Sequence, residues 1–135
     1  LSEFNKHNVA NTAWAFATVS YLVEQLFAAL AIAAERRLSE FNPQRIANTA
    51  WAFATVAYQE AKLFSALAIA AERRLSELNA QGVANTAWAL ATVTPRDEKL
   101  FAALAIAAER RLSDFKFSGI QMALWAFSQC EHMLV

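Results

Sequence analysis

A six-residue segment occurs three times without change in this chain, and it constrains the fold more than any other feature. The segment reads Ala-Asn-Thr-Ala-Trp-Ala and occupies residues 10–15, 47–52 and 84–89, with a diverged fourth copy at 121–126. Its tryptophans follow one another at intervals of 37 residues and are Trp14, Trp51, Trp88 and Trp125. A period between about 20 and 50 residues is typical of stacked repeats that supply one another's core. The sequence therefore predicts an all-α fold, an α-solenoid of helix-turn-helix repeats with a 37-residue period.

Each repeat is predicted to contain two helices, which we name the A helix and the B helix. The A helix of the second repeat begins after Asn42, because asparagine is a good N-cap and Pro43 is tolerated at the first helical position. Asn5 and Asn79 occupy the equivalent cap position in the first and third repeats. It extends to about residue 56, and its copies lie near 6–19, 80–93 and 117–130. The B helix follows at about 60–77, with copies near 23–40 and 97–114. Residues 1–135 thus form a single repeat array of three helix pairs and a fourth A helix, and we expect a segment of a longer protein.

Composition narrows the class of protein. Lys plus Arg and Asp plus Glu number 12 each, and this zero net charge argues against strong, indiscriminate nucleic-acid binding. Cys130 is the only cysteine, so neither an internal disulfide nor a multi-cysteine metal site is expected. The apolar runs are shorter than the ~20 residues that span a bilayer. Since the sequence also lacks a phosphate-binding glycine loop and a cluster of catalytic groups, we expect no enzymatic activity, cofactor, metal or small-molecule substrate.

A polar stripe on the A helices is the candidate binding surface. Asparagine recurs there at one position of each repeat, although it is a poor residue for a helix interior. Side chains within one turn of Asn48 extend the stripe into a polar patch. The predicted site consists of Asn11, Gln44, Arg45, Asn48, Thr49, Gln81 and Asn85. The asparagine amides either face a ligand, such as base edges or an extended peptide, or form a hydrogen-bonded ladder between repeats, and the sequence leaves both open.

Charge and variation in the A helices bear on the ligand. Up to residue 130, the charged residues of these stretches are Lys6, Arg45 and Lys116, with no acid. Subtracting these three cations from 12 leaves nine against 12 acids elsewhere, which favours an anionic ligand on the A side. The copies differ most at residues 6–8, 43–45, 80–82 and 117–119. Such variation is expected of a reader that assigns one base to each repeat, and equally of loose drift at a tolerant helix start.

Two apolar features fall outside the predicted core. Ile32, Ile69 and Ile106 project toward the polar side of the B helix. They either contact a neighbouring repeat or another protein, or form a mildly apolar solvent face. The tryptophans lie at the border of the A-helix faces, and we expect them to anchor the core rather than to offer stacking platforms.

The run from Phe41 to Ala54 resembles the octotricopeptide repeat, because Pro43-Gln44 stands shortly before an Ala-Asn pair and a Trp-Ala-Phe-Ala segment. This resemblance implies a paired-helix solenoid that binds single-stranded organellar RNA and governs its stability, processing or translation. It also implies a location in a chloroplast or mitochondrion. In the fourth repeat Met122 replaces the asparagine, so no ligand role is assigned to that position.

The alternative is a protein-binding or architectural solenoid that serves as a subunit of a large organellar assembly. Such a scaffold would contact other protein subunits or ribosomal RNA without reading a sequence. Armadillo-type repeats, for comparison, also present asparagine and tryptophan on one helix to bind extended peptides. The zero net charge and the row of isoleucines favour this alternative.

Overall fold

The computed structural model describes residues 6–18, 24–56, 60–93 and 97–131, and all regular secondary structure in these ranges is helical. The α-helices are α1 (Lys6–Thr18), α2 (Glu24–Arg37), α3 (Pro43–Thr55), α4 (Ala61–Arg73), α5 (Ala80–Thr92), α6 (Glu98–Arg110) and α7 (Phe117–Glu131). Short 3₁₀ turns follow the even-numbered helices at Leu38–Glu40, Leu75–Glu77 and Leu112–Asp114. Odd-numbered helices are the A helices and even-numbered helices the B helices. The predicted all-α class is confirmed for the described part of the chain.

Capping side chains begin the helices where the sequence predicts a start. The side chains of Asn42 and Asn79 each accept a hydrogen bond of 2.8 Å from a backbone N–H in the first turn of α3 and α5. The carboxylates of Glu60 and Asp97 do the same for α4 and α6. Each cap satisfies N–H groups that have no acceptor within their own helix. The cap predicted at Asn5 lies outside the described residues.

The B helices end earlier than the sequence analysis predicted. The second B helix was expected to continue to about residue 77, but α4 ends at Arg73 and a 3₁₀ turn covers Leu75–Glu77. The backbone N–H of Arg74 bonds to the carbonyl of Ala71, three residues before it, at 3.3 Å. Such a bond is that of a tighter 3₁₀ helix, a frequent form of the last turn. The prediction was wrong because it extended the helix by apolar spacing alone.

The second arginine of each described Glu-Arg-Arg triplet at the end of α4 and α6 reaches back to the preceding repeat. Arg74 Nη1 donates to the carbonyl oxygen of Phe41 at 2.7 Å, and its guanidinium also pairs with Glu77 at 3.1 Å. Arg111 Nη2 donates to the carbonyl oxygen of Ser76 at 2.8 Å. The hydrogen bond from Arg74 lowers the pKa of Glu77 and is the main cause of a raised pKa for the arginine. These arginines therefore link successive repeats.

The A helices pack in series, and this packing is the most extensive in the molecule. α1 packs on α3, α3 on α5 and α5 on α7, while each B helix packs on the A helix of its own repeat. The B helices also contact one another in order, α2 with α4 and α4 with α6. Small side chains such as Ala50 and Ala87 are buried between the A helices, whereas Phe64 and Leu67 fill the core from α4. Alanine at these contacts allows the backbones to approach closely.

The outer face of α7 differs from the equivalent faces of α3 and α5. Leu124 is 67 % exposed, whereas Ala50 and Ala87 at the same repeat position are buried against the following A helix. Phe117 and Ile120 are exposed beside it. The outer face of α7 is therefore an exposed apolar surface, whereas the equivalent faces of α3 and α5 are buried.

Within the described ranges, no helix combines the length and the hydropathy that a membrane crossing requires.

Replacing Leu67 with alanine should lower the free energy of unfolding by about 2–5 kcal/mol, because the buried side chain would leave a cavity. Ile69, two positions along α4, is 52 % exposed and provides the matched control. Its replacement by alanine should cost less than about 1 kcal/mol. Urea unfolding followed by circular dichroism measures both values. Equal losses in the two variants would contradict the assignment of the two faces of α4.

Candidate functional site

The asparagines of the A helices form a hydrogen-bonded row that joins neighbouring repeats. Asn85 Nδ2 donates to Asn48 Oδ1 across the contact of α3 with α5 at 3.4 Å, and Gln81 Nε2 donates to Asn85 Oδ1 at 2.8 Å. Asn11 and Asn48 are exposed, and Asn85 is half-buried. The ladder between repeats is thus present, although it joins side chains rather than a side chain to the backbone. Because it lies at the surface, it does not exclude contact of the same amides with a ligand.

A column of tryptophans runs beside the asparagine row, one turn farther along each A helix. The ring centroids of Trp51 and Trp88 are 6.4 Å apart and those of Trp88 and Trp125 6.3 Å, with planes tilted by 41° and 44°. These distances are typical of aromatic pairs in direct contact. Trp51 and Trp88 are half-buried against the core, as predicted for core anchors, and also expose part of each ring, whereas Trp14 is 50 % and Trp125 42 % exposed. Sequence reasoning missed the ring-to-ring column, for which the constant tryptophan spacing was the signal.

The first turn of the A helix, where the repeats differ most in sequence, packs against the next A helix. Gln44 and Arg45 are half-buried at the beginning of α3. A Cβ atom on Gly82 would lie 2.9 Å from Gln44 Oε1 and 2.8 Å from a methyl carbon of Leu78. Gly82 occupies in the third repeat the position of Arg45 in the second. The side chain of Gln44 therefore lies against the next A helix, in space that glycine leaves open, rather than projecting only into solvent.

Gln81 lies at the mouth of a cavity between the starts of α5 and α7. This cavity has a volume of about 370 Å³, and Gln81 is exposed at its edge. Arg111 and Lys116 line it together with one acid, Asp114. The amide row thus ends beside a small polar cavity with more cations than acids. Of the predicted site residues, Gln81, Asn85 and Asn48 are joined by hydrogen bonds. Arg45 lies on α3, three residues before Asn48.

Thr49 does not lie on the predicted polar surface, and this part of the site prediction is corrected. Both Thr49 and its copy Thr86 are buried. The reason is that an A helix inside the stack is covered on two sides, by the A helices before and after it. A face that appears exposed on a single helix pair is therefore enclosed. The Oγ1 atoms of both threonines lack a hydrogen-bond partner in the described structure, so they contribute no surface group.

Replacing Thr49 with valine should raise the free energy of unfolding by about 1 kcal/mol. Valine retains the shape of the side chain and removes a buried hydroxyl that makes no hydrogen bond. Thr86→Val should behave alike, and thermal and urea unfolding of both variants provide the measurement. Thr55→Val is the control, because the Thr55 hydroxyl donates to the carbonyl of Trp51 at 2.7 Å and is exposed. A destabilised Thr49→Val variant would show that the hydroxyl is satisfied in solution.

The helices and their surfaces define an all-helical repeat protein with extended polar and apolar faces. A protein-family model described as RNA-editing substrate-binding complex 6 protein, RESC6, matches residues 1–134. The chain belongs to this family. A comparison with curated proteins finds no significant match.

The family match corrects the resemblance to octotricopeptide repeats, which was wrong. That resemblance rested on an Ala-Asn pair followed by Trp-Ala within a helical repeat. Alanine at helix contacts, asparagine at caps and polar rows, and a periodic tryptophan are demands of helix stacking that several repeat families meet. The motif therefore indicated the type of structure, but it did not identify the family.

Proposed function

We propose that this chain is a helical-repeat subunit of an RNA-editing substrate-binding assembly, where it binds and does not catalyse. The match of the family model to residues 1–134 carries this proposal. The serial packing of the A helices supports it, because a stack of repeats offers long surfaces to several partners at once. We infer from the same packing, and from the hydrogen bond between residues 37 positions apart, that the array is a solenoid with that period.

We place the protein in the mitochondrion. The family description names an RNA-editing substrate-binding complex, and the RNA-editing complexes of trypanosomatids are mitochondrial. The chloroplast, which the octotricopeptide resemblance had allowed, has no support from the family. The partners on this proposal are editing-substrate RNA and other protein subunits of the same assembly.

A second candidate function is direct contact between the A helices and single-stranded RNA. The observation that favours it is the surface row of amides beside the partly exposed tryptophan column. Amide groups donate and accept hydrogen bonds with base edges, and aromatic edges offer apolar contact to unstacked bases. Arg45 supplies the cation nearest to this row in α3. Protein contacts elsewhere on the array are compatible with this arrangement.

The subunit proposal is tested by isolating the tagged full-length protein from mitochondrial extract, with and without ribonuclease treatment. Other subunits should remain bound after ribonuclease if the array holds them by protein contacts. Editing-substrate RNA should be enriched in the untreated sample relative to a tagged mitochondrial matrix protein of similar size. Recovery of the protein without RNA and without other subunits would refute the proposal.

The RNA-contact candidate predicts different effects for the two sides of the array. Arg45→Ala should weaken binding of a labelled single-stranded RNA and reduce the slope of log affinity against log salt by about 0.7, the value for one phosphate contact. Asn48→Ala should change the preference among homopolymer RNAs more than the mean affinity. Arg73→Ala, on the B side, is the matched control. Fluorescence anisotropy measures all three, and an equal loss for Arg73→Ala would refute the assignment.

A further inference from the structure

The B helices expose one isoleucine each, at the same position of successive repeats. Ile32 is 53 % exposed on α2, Ile69 52 % on α4 and Ile106 55 % on α6. The near-identical values show that this side chain has one environment in all three repeats. Together they form a row of large apolar side chains across the outer face of the B helices. The serial contacts of α2 with α4 and of α4 with α6 make this row continuous along the array.

The isoleucine row lies beside cationic side chains. Between α4 and α6, Ile106 lines a groove of about 720 Å³ with an apolar floor that includes Leu75 and Ala107. Three arginines and one acid, Glu72, line the same groove. The arginines are Arg73, Arg110 and Arg111. The groove thus combines an exposed apolar centre with an excess of positive charge.

The two arginines of each Glu-Arg-Arg triplet have different roles. The second one, in Arg74 and Arg111, is engaged by carbonyl oxygens of the preceding repeat. The first one is exposed, and in the part of the chain that the structure describes it makes no hydrogen bond and no ion pair. This first arginine is Arg36 on α2, Arg73 on α4 and Arg110 on α6. It follows the exposed isoleucine of its own helix by one turn, so a row of guanidinium groups runs parallel to the row of isoleucines.

The acids near the isoleucine row neutralise only part of the charge of these arginines. The carboxylate of Asp97, which lines a second groove with Ile69, accepts hydrogen bonds from two backbone N–H groups as the N-cap of α6. Glu35 lies 3.7 Å from Lys62 Nζ and has a side chain that is only 19 % exposed. Glu72 is the exposed acid that remains in the groove of Ile106. Each isoleucine thus has one glutamate three residues after it, of which Glu72 and Glu109 are exposed, and the groove of Ile106 itself holds three arginines against Glu72 alone.

We propose that the B helices form a docking surface for an acidic, amphipathic α-helix of a partner protein. Apolar side chains of that helix would cover the isoleucines, and its carboxylates would pair with the exposed guanidinium groups. The spacing fits a helix: packed helices are roughly 8–10 Å apart, and every seventh residue of a helix recurs after about 10.5 Å on nearly the same side. In a β-strand, about three residues span a similar distance, and side chains three residues apart point to opposite faces of the strand.

The exposed isoleucine that lines the cationic groove also distinguishes this surface from a phosphate-binding one. A patch that binds RNA phosphates needs cations and gains little from large aliphatic side chains beside them. The proposal rests on the proposed function only in that the partner would be another subunit of the assembly. The docking itself is a property of the isolated chain, so it is tested apart from assembly membership.

The test uses two fluorescein-labelled, alanine-rich peptides of about three heptads, each with leucine at every seventh position. One peptide carries glutamate and the other lysine beside each leucine. Fluorescence anisotropy with the whole chain should show about tenfold tighter binding of the glutamate peptide. The triple variant I32S/I69S/I106S should weaken that binding about tenfold, and R36E/R73E/R110E should transfer the preference to the lysine peptide.

Lys116→Glu, an exposed position on the A side, is the charge control, and it should leave binding of the glutamate peptide unchanged. Circular dichroism should show wild-type helicity for each variant, because all six replaced side chains are exposed. The single change I69S, with a smaller loss, replaces the triple variant if the latter unfolds. Equal binding of both peptides, or unchanged binding by the serine variants, would overturn the proposal. It would also be overturned if the glutamate peptide failed to bind while R36E/R73E/R110E abolished binding of a labelled single-stranded RNA.

Discussion

Close packing between successive A helices depends on small side chains at their contacts, and the other features of the structure follow from it. Ala50 and Ala87 are buried where one A helix meets the next, and Ala52 and Ala89 are buried on the opposite flank. With alanine on both flanks, each A helix inside the stack is enclosed from two directions. Only a narrow stripe remains at the surface, which is why the amides and tryptophans form rows. Larger groups at these contacts would separate the helices and the rows with them.

The array consequently offers two surfaces of different chemistry. The A surface combines amides with indole edges and carries few charges, whereas the B surface carries a row of isoleucines beside a row of arginines. The two arginines of the Glu-Arg-Arg triplet have different roles. Arg74 links two repeats by a hydrogen bond, whereas Arg73 beside it remains exposed at the surface. Since the surfaces belong to different helices, occupancy of one does not obstruct the other. A subunit that joins RNA to protein requires this kind of separation.

The sequence predicted what depends on local rules and missed what depends on neighbours. The helix starts at Asn42 and Asn79 and the exposed position of Ile69 followed from capping preferences and helical spacing. Thr49 was misplaced because a helical wheel considers one helix, whereas α3 is covered by the A helices on both sides of it. The early end of α4 was missed because the prediction extended the helix by apolar spacing alone, whereas the backbone N–H of Arg74 bonds to the carbonyl of Ala71 in a 3₁₀ turn. The family was misassigned because stacking demands similar residue types from unrelated repeats.

The tryptophan column limits the insertions and deletions that an A helix tolerates. Each residue of an α-helix advances the side chains by about 100°, so one residue inserted between Asn85 and Trp88 would rotate Trp88 and all later residues of α5 by about 100° relative to the residues before the insertion. The indole contacts on both sides, at 6.4 Å and 6.3 Å, would then be lost together. Substitutions preserve this angular phase, but insertions and deletions within an A helix do not. The contact between neighbouring indoles therefore depends on the number of residues within each A helix as well as on the tryptophans themselves.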